Sequence, residues 1–311
     1  MLLSDNNKTL PEEQDIIDGW DQNEAVAISL ICLTYNQLDY IEMTLVSMLS
    51  QVCKVRFEII VHDDASTDGT SDIVTKFASR YPTIIKHVLR KENAFSKGHR
   101  VLPLAVAHAS GEYIAICEGD DYWIDKDKIQ KQYDMLSANC DVNICCHPVH
   151  YLENDLLKNS PLQTFDKSKL RMLDIYLEQG GYISTCSLFF KKKVIDELPR
   201  WFFDYAQFAD FYIQILSSEA NGCLYIKETM AVRRLNSTGS WTSSRILNPD
   251  SVLKEVDFTL RAEKELRAYC SIPFLFYLRR IKNIVFTRLY FLLRIKQYKL
   301  AYKVFKRSVN V

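Results

Sequence analysis

The first 125 residues alternate short apolar runs with amphipathic stretches. Ala25 to Leu33 (AVAISLICL) is almost continuously apolar, the pattern of a strand buried on both faces of a parallel sheet. It breaks at Thr34-Tyr35-Asn36, after which Ile41, Leu45, Met48 and Leu49 share one face of a predicted helix. Phe57 to Val61 (FEIIV) predicts a second strand, ended by the polar turn HDDASTDGT with Gly69. A helix over 70–80, a third strand from Ile84 to Leu89, a helix over 99–109 and a fourth strand from Glu112 to Cys117 follow. Strands separated by helical crossovers predict an α/β fold with a mostly parallel central sheet. In such sheets ligands bind at the carboxyl ends of the strands. The polar clusters fall at those ends: Thr34-Tyr35-Asn36, Asp63-Asp64 and Glu118-Gly119-Asp120-Asp121.

Three carboxylates within four residues repel one another unless a cation offsets their charge. Mg²⁺ or Mn²⁺ takes carboxylate and phosphate oxygens, so Glu118, Asp120 and Asp121 are candidate ligands; the other reading is an acidic turn before a helix starting near Asp125. Asp63 reads as a turn and cap residue with Ser66, Thr67 and Asp68, and Asp64 as a hydrogen-bond acceptor for a base or ribose. The run Cys145-Cys146-His147 with His150 lacks a second half at zinc-site spacing, and VNICCHPVHYL reads as an apolar strand. No G-x-G-x-x-G and no Walker loop is present, which disfavours a dinucleotide-binding dehydrogenase and a P-loop enzyme.

Charge changes this picture at the two ends. The net charge of zero argues against nucleic-acid binding. Residues 1–27 hold seven acids and one base, whereas residues 271–311 hold ten bases and no acid. An acidic leader (1–25) and a helical, basic C-terminal extension (246–311) therefore flank the central part. The extension mixes aromatics, leucines and bases at helical spacing. It reads either as an amphipathic segment on an anionic membrane surface or as a helical hairpin packed on the catalytic domain. Nine cysteines, odd in number and irregular in spacing, point to a reducing, cytoplasmic setting. The start MLLSDNNK lacks a signal-peptide pattern, and no apolar run reaches the length of a spanning helix.

Taken together, ISLICLTYNQLDYIEMTLVSMLSQ, FEIIVHDDASTDGTSDIV and GEYIAICEGDDYWIDKDKIQKQ resemble family 2 glycosyltransferases of the GT-A fold. ETMAVRRLNSTGSWT is similar to the segment that closes the active site in a bacterial subgroup, and the resemblance covers about residues 26–242. It implies a GT-A catalytic domain over 26–245, with a nucleotide half (26–125) and an acceptor half (126–245). It further implies inverting transfer from a nucleoside-diphosphate sugar, UDP foremost, to a saccharide or lipid-linked saccharide at the inner membrane face. By position, Thr34, Tyr35, Asn36 and Lys97 would approach the nucleotide and Asp64 the base. Glu118-Gly119-Asp120 would be the metal motif, with Asp121 a further ligand for Mn²⁺ or Mg²⁺. Asp210 would be the general base, and Arg234 and Trp241 would cover the diphosphate or acceptor. The chain departs from the family pattern at Glu118, Ala209 and Asn236, where Asp, Glu and His are usual. The alternatives are a nucleotidyltransferase on a related fold and a non-catalytic nucleotide- or sugar-binding module.

Overall fold

Alternate side chains of β1 (Ile28–Thr34) enter two different cores, Leu30 and Cys32 on one face of the sheet and Ile31 on the other. That two-sided burial is why the run reads as apolar throughout rather than alternating. A computed structural model describes residues 10–21, 25–178, 182–237, 251–294 and 296–308.

In chain order the elements are α1 (Glu13–Asp18), β1, α2 (Ile41–Leu49), β2 (Phe57–Asp63), α3 (Thr70–Arg80), β3 (Ile85–Leu89), α4 (Val101–Val106) and β4 (Tyr113–Glu118). Then come β5 (Tyr122–Trp123), α5 (Lys128–Ser137), β6 (Ile144–Cys146), β7 (Val149–Glu153), β8 (Leu156–Asn159), β9 (Lys169–Leu170) and α6 (Met172–Leu177). Next are β10 (Phe189–Lys191), α7 (Lys193–Asp196), α8 (Arg200–Tyr205), α9 (Ala209–Ser218), β11 (Cys223–Tyr225) and β12 (Ala231–Arg234). The described chain finishes with α10 (Ser251–Tyr269), α11 (Phe274–Arg294) and α12 (Tyr298–Ser308). An eight-stranded sheet runs β3-β2-β1-β4-β10-β6-β11-β9 and is mostly parallel, with β10 and β9 reversed. A second sheet runs β5-β12-β7-β8. The stretch VNICCHPVHYL, read as one strand, therefore divides: β6 joins the large sheet and β7 the small one. His147-Pro148 separates them, and Pro148 has no N–H to continue a ladder.

The ends of the chain are built into these cores. Ile16 and Trp20 of the acidic leader are buried, with the Trp20 indole edge-on to Phe57 at 5.3 Å. The Glu13 carboxylate accepts the backbone N–H of Thr83 (2.7 Å) and of Ile84 (3.1 Å). Glu13 of the leader thus caps the approach to β3. At the other end, Val256, Leu260, Leu266, Ile281 and Val285 join the same apolar cluster as Ile31 and Phe211. The basic extension thus packs on the catalytic part.

A buried polar knot fastens it. Glu263 accepts hydrogen bonds from the Tyr176 hydroxyl (2.9 Å) and the Tyr212 hydroxyl (3.4 Å) and pairs with Arg280 at 3.4 Å. The Arg280 guanidinium also lies over the Phe211 ring, 4.2 Å from its centroid. Burial raises the pKa of the Glu263 carboxyl, while Arg280 and the Tyr176 hydrogen bond pull it down. Arg280→Met is expected to cost about 3 kcal/mol at about pH 8, because it strands a buried carboxylate. The loss should be smaller at about pH 5, because burial raises the Glu263 carboxyl and a proton removes the stranded charge more readily as the pH falls. Urea unfolding at the two pH values checks this; equal losses at both would contradict it.

Candidate active site

Pairing of β1 between β2 and β4 sets Thr34 beside Asp63 and Leu33 beside Glu118. Three polar strand ends consequently open along one edge of the sheet. The acidic turn Glu118–Asp121 is tied to its neighbours at close range. Gly119 N–H donates to Leu33 O (2.8 Å), and the Thr44 hydroxyl of α2 lies 2.9 Å from Gly119 O and 2.6 Å from Asp121 O. A Cβ at Gly119 would sit 2.4 Å from Gln37 Oε1 and 2.7 Å from Thr34 Oγ1, so the turn requires glycine there.

The small sheet then brings two arginines to this turn. β12 pairs antiparallel with β5, which directly follows Asp121. The backbone N–H of Arg234 donates to Asp121 Oδ1 (2.9 Å), and its Nη1 donates to Asp120 O (2.6 Å). Its guanidinium lies over Tyr40 and Tyr122, 5.0 and 4.8 Å from the ring centroids. The Ser237 hydroxyl donates to the Asp120 carboxylate. Burial works against the charge of Arg233, yet Glu118 and Asp121 beside it hold it protonated above the usual range.

The carboxylates respond to the same crowding. Glu118 is pushed up to about 7 by desolvation and by Asp120; Arg233 pulls it down, and Asp210 raises it again. Asp121 is raised as well, by burial first and then by Asp120 and Glu118. Asp121 Oδ2 is buried with no hydrogen-bond partner. Among the described residues no group of three His, Cys, Asp or Glu side chains is arranged to hold a metal ion by itself.

Asp210 opens α9 across from the turn. Its Oδ2 accepts a hydrogen bond from the Thr185 hydroxyl at 3.3 Å, and Thr185 also bonds Glu118. That hydroxyl stands between the two carboxylates, and its one proton can be donated to only one of them at a time. Thr185 lies on a 3-10 turn, Thr185–Ser187, fixed by Trp123 Nε1 donating to Cys186 O (3.1 Å) and Gln132 Nε2 donating to Ser187 O (2.9 Å).

On the nucleotide half, Thr34 Oγ1 donates to Gln37 Oε1 at 2.9 Å. Asn36 has φ 51°, and its side-chain oxygen accepts Thr67 N–H at 2.8 Å. Asp63 accepts from Ser66 and Ser71, the turn role expected of it. Asp64, expected to face a base, has both carboxylate oxygens engaged: Ala94 N–H donates at 2.7 Å and Phe95 N–H at 3.0 Å. It ties down the segment on which exposed Lys97 pairs with Glu92. Tyr35 is exposed at the same strand end. Trp241 lies outside the described residues. The structure thus gathers Thr34, Asn36, Asp64, Glu118, Asp120, Asp121 and Arg234 along one edge and links Asp210 to it. Sequence reasoning missed Gln37, Thr44, Thr185 and Ser237, which carry no local signal, and passed over Arg233 in the visible Arg-Arg pair.

Comparison with known proteins bears on the family and the fold. The sequence profile described as "Glycosyl transferase family 2" matches residues 29–198. An uncharacterized protein of Mycobacterium tuberculosis (strain ATCC 25618 / H37Rv) is 31% identical over 218 residues, 70% of this chain and 61% of the relative. The match thus spans about three-fifths of that relative's length. The Escherichia coli UDP-Glc:alpha-D-GlcNAc-diphosphoundecaprenol beta-1,3-glucosyltransferase WfaP is 39% identical over 97 residues, 31% of this chain and 36% of WfaP. Among solved structures, Staphylococcus aureus TarS 1–349 with UDP-GlcNAc superposes with a TM-score of 0.56 at 16% identity, covering 86% of this chain and 81% of that one. The mannosyltransferase PcManGT of Pyrobaculum calidifontis, with GDP-Man and Mn²⁺, gives 0.57 at 17% identity, covering 93% and 76%. The fold is therefore that of the GT-A glycosyltransferases, with a helical C-terminal region. With its profile match reaching across more than half of the chain, this protein belongs to glycosyl transferase family 2.

Proposed function

We propose that this protein transfers a sugar, with inversion, from a nucleoside-diphosphate donor to an acceptor hydroxyl, with Asp210 as the general base. The observation that carries the reading is the link from Asp210 through Thr185 to Glu118 at the strand ends. It supports a proton acceptor at Asp210, near the strand-end groups that would face a diphosphate. In this reading Asp210 removes the acceptor proton as the new C–O bond forms, and the nucleoside diphosphate leaves from the opposite face of the anomeric carbon. Thr34, Tyr35, Asn36 and Lys97 lie on the nucleotide side, and Arg233 adds a cation beside the turn. UDP is the favoured nucleotide, in line with the ligand of TarS and the donor in WfaP's name. WfaP's name also supports a lipid-linked saccharide as acceptor.

The acidic turn fits a divalent cation. Mg²⁺ and Mn²⁺ at nucleotide sites use one or two carboxylates and take the remaining oxygens from phosphates, so no protein cage is required. Asp121 Oδ2 is a buried oxygen without a partner, and the carboxylates next to it repel one another. Asp120 and Asp121, with Glu118, would hold the cation. When bound it would act as a Lewis acid that offsets charge on the departing diphosphate.

A thermal-shift series tests the donor site, with UDP, GDP, CDP or dTDP and Mn²⁺, Mg²⁺ or EDTA. A nucleotide at 100 times its Kd stabilises the native state by about 2.7 kcal/mol, several degrees in melting temperature. UDP is expected to give that shift, strengthened by cation, and Asp120→Ala to remove the cation's share. No shift with any nucleotide–cation pair would refute the donor site.

A further inference from the structure

The C-terminal helices use only one side of themselves to complete the fold. Tyr277, Ile281, Val285 and Leu292 of α11 are buried, and so are Leu300, Ala301 and Val304 of α12. The opposite sides are not what a solvated surface needs. Leu275, Phe286, Tyr290 and Leu293 on α11, with Tyr298 and Tyr302 on α12, are between 50% and 75% exposed. Phe286, Tyr290 and Leu293 recur every third or fourth residue, as do Tyr298 and Tyr302, so each helix presents a continuous apolar stripe to solvent. Single exposed hydrophobes are ordinary, but contiguous stripes mark a contact surface.

Charge says what kind of surface. Arg280 and Arg288 turn inwards and pair with Glu263 and Glu255. Arg279, Lys282, Arg294, Lys299, Lys303 and Lys306 stay exposed beside the stripes, and among the described residues none forms an ion pair. Residues 271–311 contain no acid that could neutralise them. A second copy meeting this face with its own would set these six bases against six, whereas an anionic lipid surface complements them. No helix among the described residues is long and apolar enough to cross a membrane.

We propose that α11 and α12 form an interfacial membrane-binding surface. Their aromatic and leucine stripes enter the headgroup region of an anionic bilayer, and the flanking lysines and arginines bind lipid phosphates. The inference is independent of the donor and base assignments, because vesicle binding is read without turnover.

Flotation of the full chain with vesicles tests it, using phosphatidylcholine alone or mixed with phosphatidylglycerol. The chain should float with the anionic vesicles, remain behind with the neutral ones, and be released by about 0.5 M salt. The triple variants Phe286→Ser/Tyr290→Ser/Tyr302→Ser and Lys299→Glu/Lys303→Glu/Lys306→Glu should each lower partitioning by at least about tenfold. These positions are exposed, and an unchanged circular dichroism spectrum and melting temperature would show that the variants are folded. Failure to bind anionic vesicles would overturn the proposal, as would binding that neither variant weakens. A dimer that the apolar variant dissolves, without vesicle binding, would assign the stripes to a second copy instead.

Discussion

Asp210→Asn is expected to lower turnover by about 10²–10⁴-fold, the usual range for loss of a general base, while leaving the nucleotide-dependent thermal shift unchanged. Asparagine keeps the size of the side chain and can still accept the Thr185 hydrogen bond, but it cannot take a proton from an acceptor hydroxyl. Asp210 makes no hydrogen bond to the nucleotide-half residues Thr34, Asn36 or Asp64, so donor affinity should persist. A matched control is Asp204→Asn, which alters a solvent-exposed acid of α8 paired loosely with Arg200 at 3.9 Å and should leave turnover intact. Initial rates at saturating donor separate the cases. Asp210→Asn turnover within tenfold of the parent would remove Asp210 from the base role; a joint loss of donor binding would point to a structural one.

Above about pH 9 the protein is expected to unfold steeply, and the cause is its cysteines. All nine are free thiols, and eight of them are buried. Burial raises the pKa values of Cys32, Cys53, Cys117, Cys145, Cys186, Cys223 and Cys270, Cys53 to about 11 and Cys270 to about 12. In an unfolded chain a thiol ionises near 8.5. Between these values the folded state holds more protons than the unfolded one, so stability must fall as pH rises. The contribution is complete below about pH 8.5 and is lost through the folded values. Each thiol takes away about 1.4 kcal/mol per pH unit in that window, and seven together roughly 10 kcal/mol. That is comparable to the whole stability of a typical domain, about 5–15 kcal/mol. Lys128 works the other way. It is fully buried, bonded to Gln132 and lowered to about 8 by burial, so it favours folding as pH rises from about 8 towards 10.5, but it is one group against seven. Calorimetry in reductant at about pH 7.5, 8.5 and 9.5 should show a collapsing melting temperature. Replacing Cys32 or Cys117 by alanine should make the fall less steep, and a flat profile would contradict the argument.

How far the sequence showed all this depended on the range of the forces involved. The large sheet's first half was legible because β1, β2 and β4 are buried on both faces, and unbroken apolar runs survive no other arrangement. Strand-end chemistry followed from the same pattern, since Thr34, Asp63 and Glu118 close their strands as expected. The acceptor half was harder. β5 and β12 are two and four residues long and pair across more than 100 positions, so neither carries a periodic signal. Arg233 could not be set apart from Arg234 without knowing which strand β12 would join. Thr185 is an ordinary residue until the chain folds it between Glu118 and Asp210. The docking of the leader was hidden for a different reason: its acids stand out in composition, while the two residues that dock it, Ile16 and Trp20, are sparse in sequence.

The knot around Glu263 has a consequence in time. Arg280 lies over Phe211, the residue next to Asp210, and Tyr212 reaches Glu263 from the same helix. The segment that bears the proposed base is therefore steadied by contacts made some seventy residues further along the chain. During synthesis the donor half can fold first, since its strands β1 to β4 pair among themselves. The helix that carries Asp210 gains these contacts only after α10 and α11 have left the ribosome. With Asp210 in the proposed base role, the contacts that steady it would form late, together with the face proposed to bind lipid.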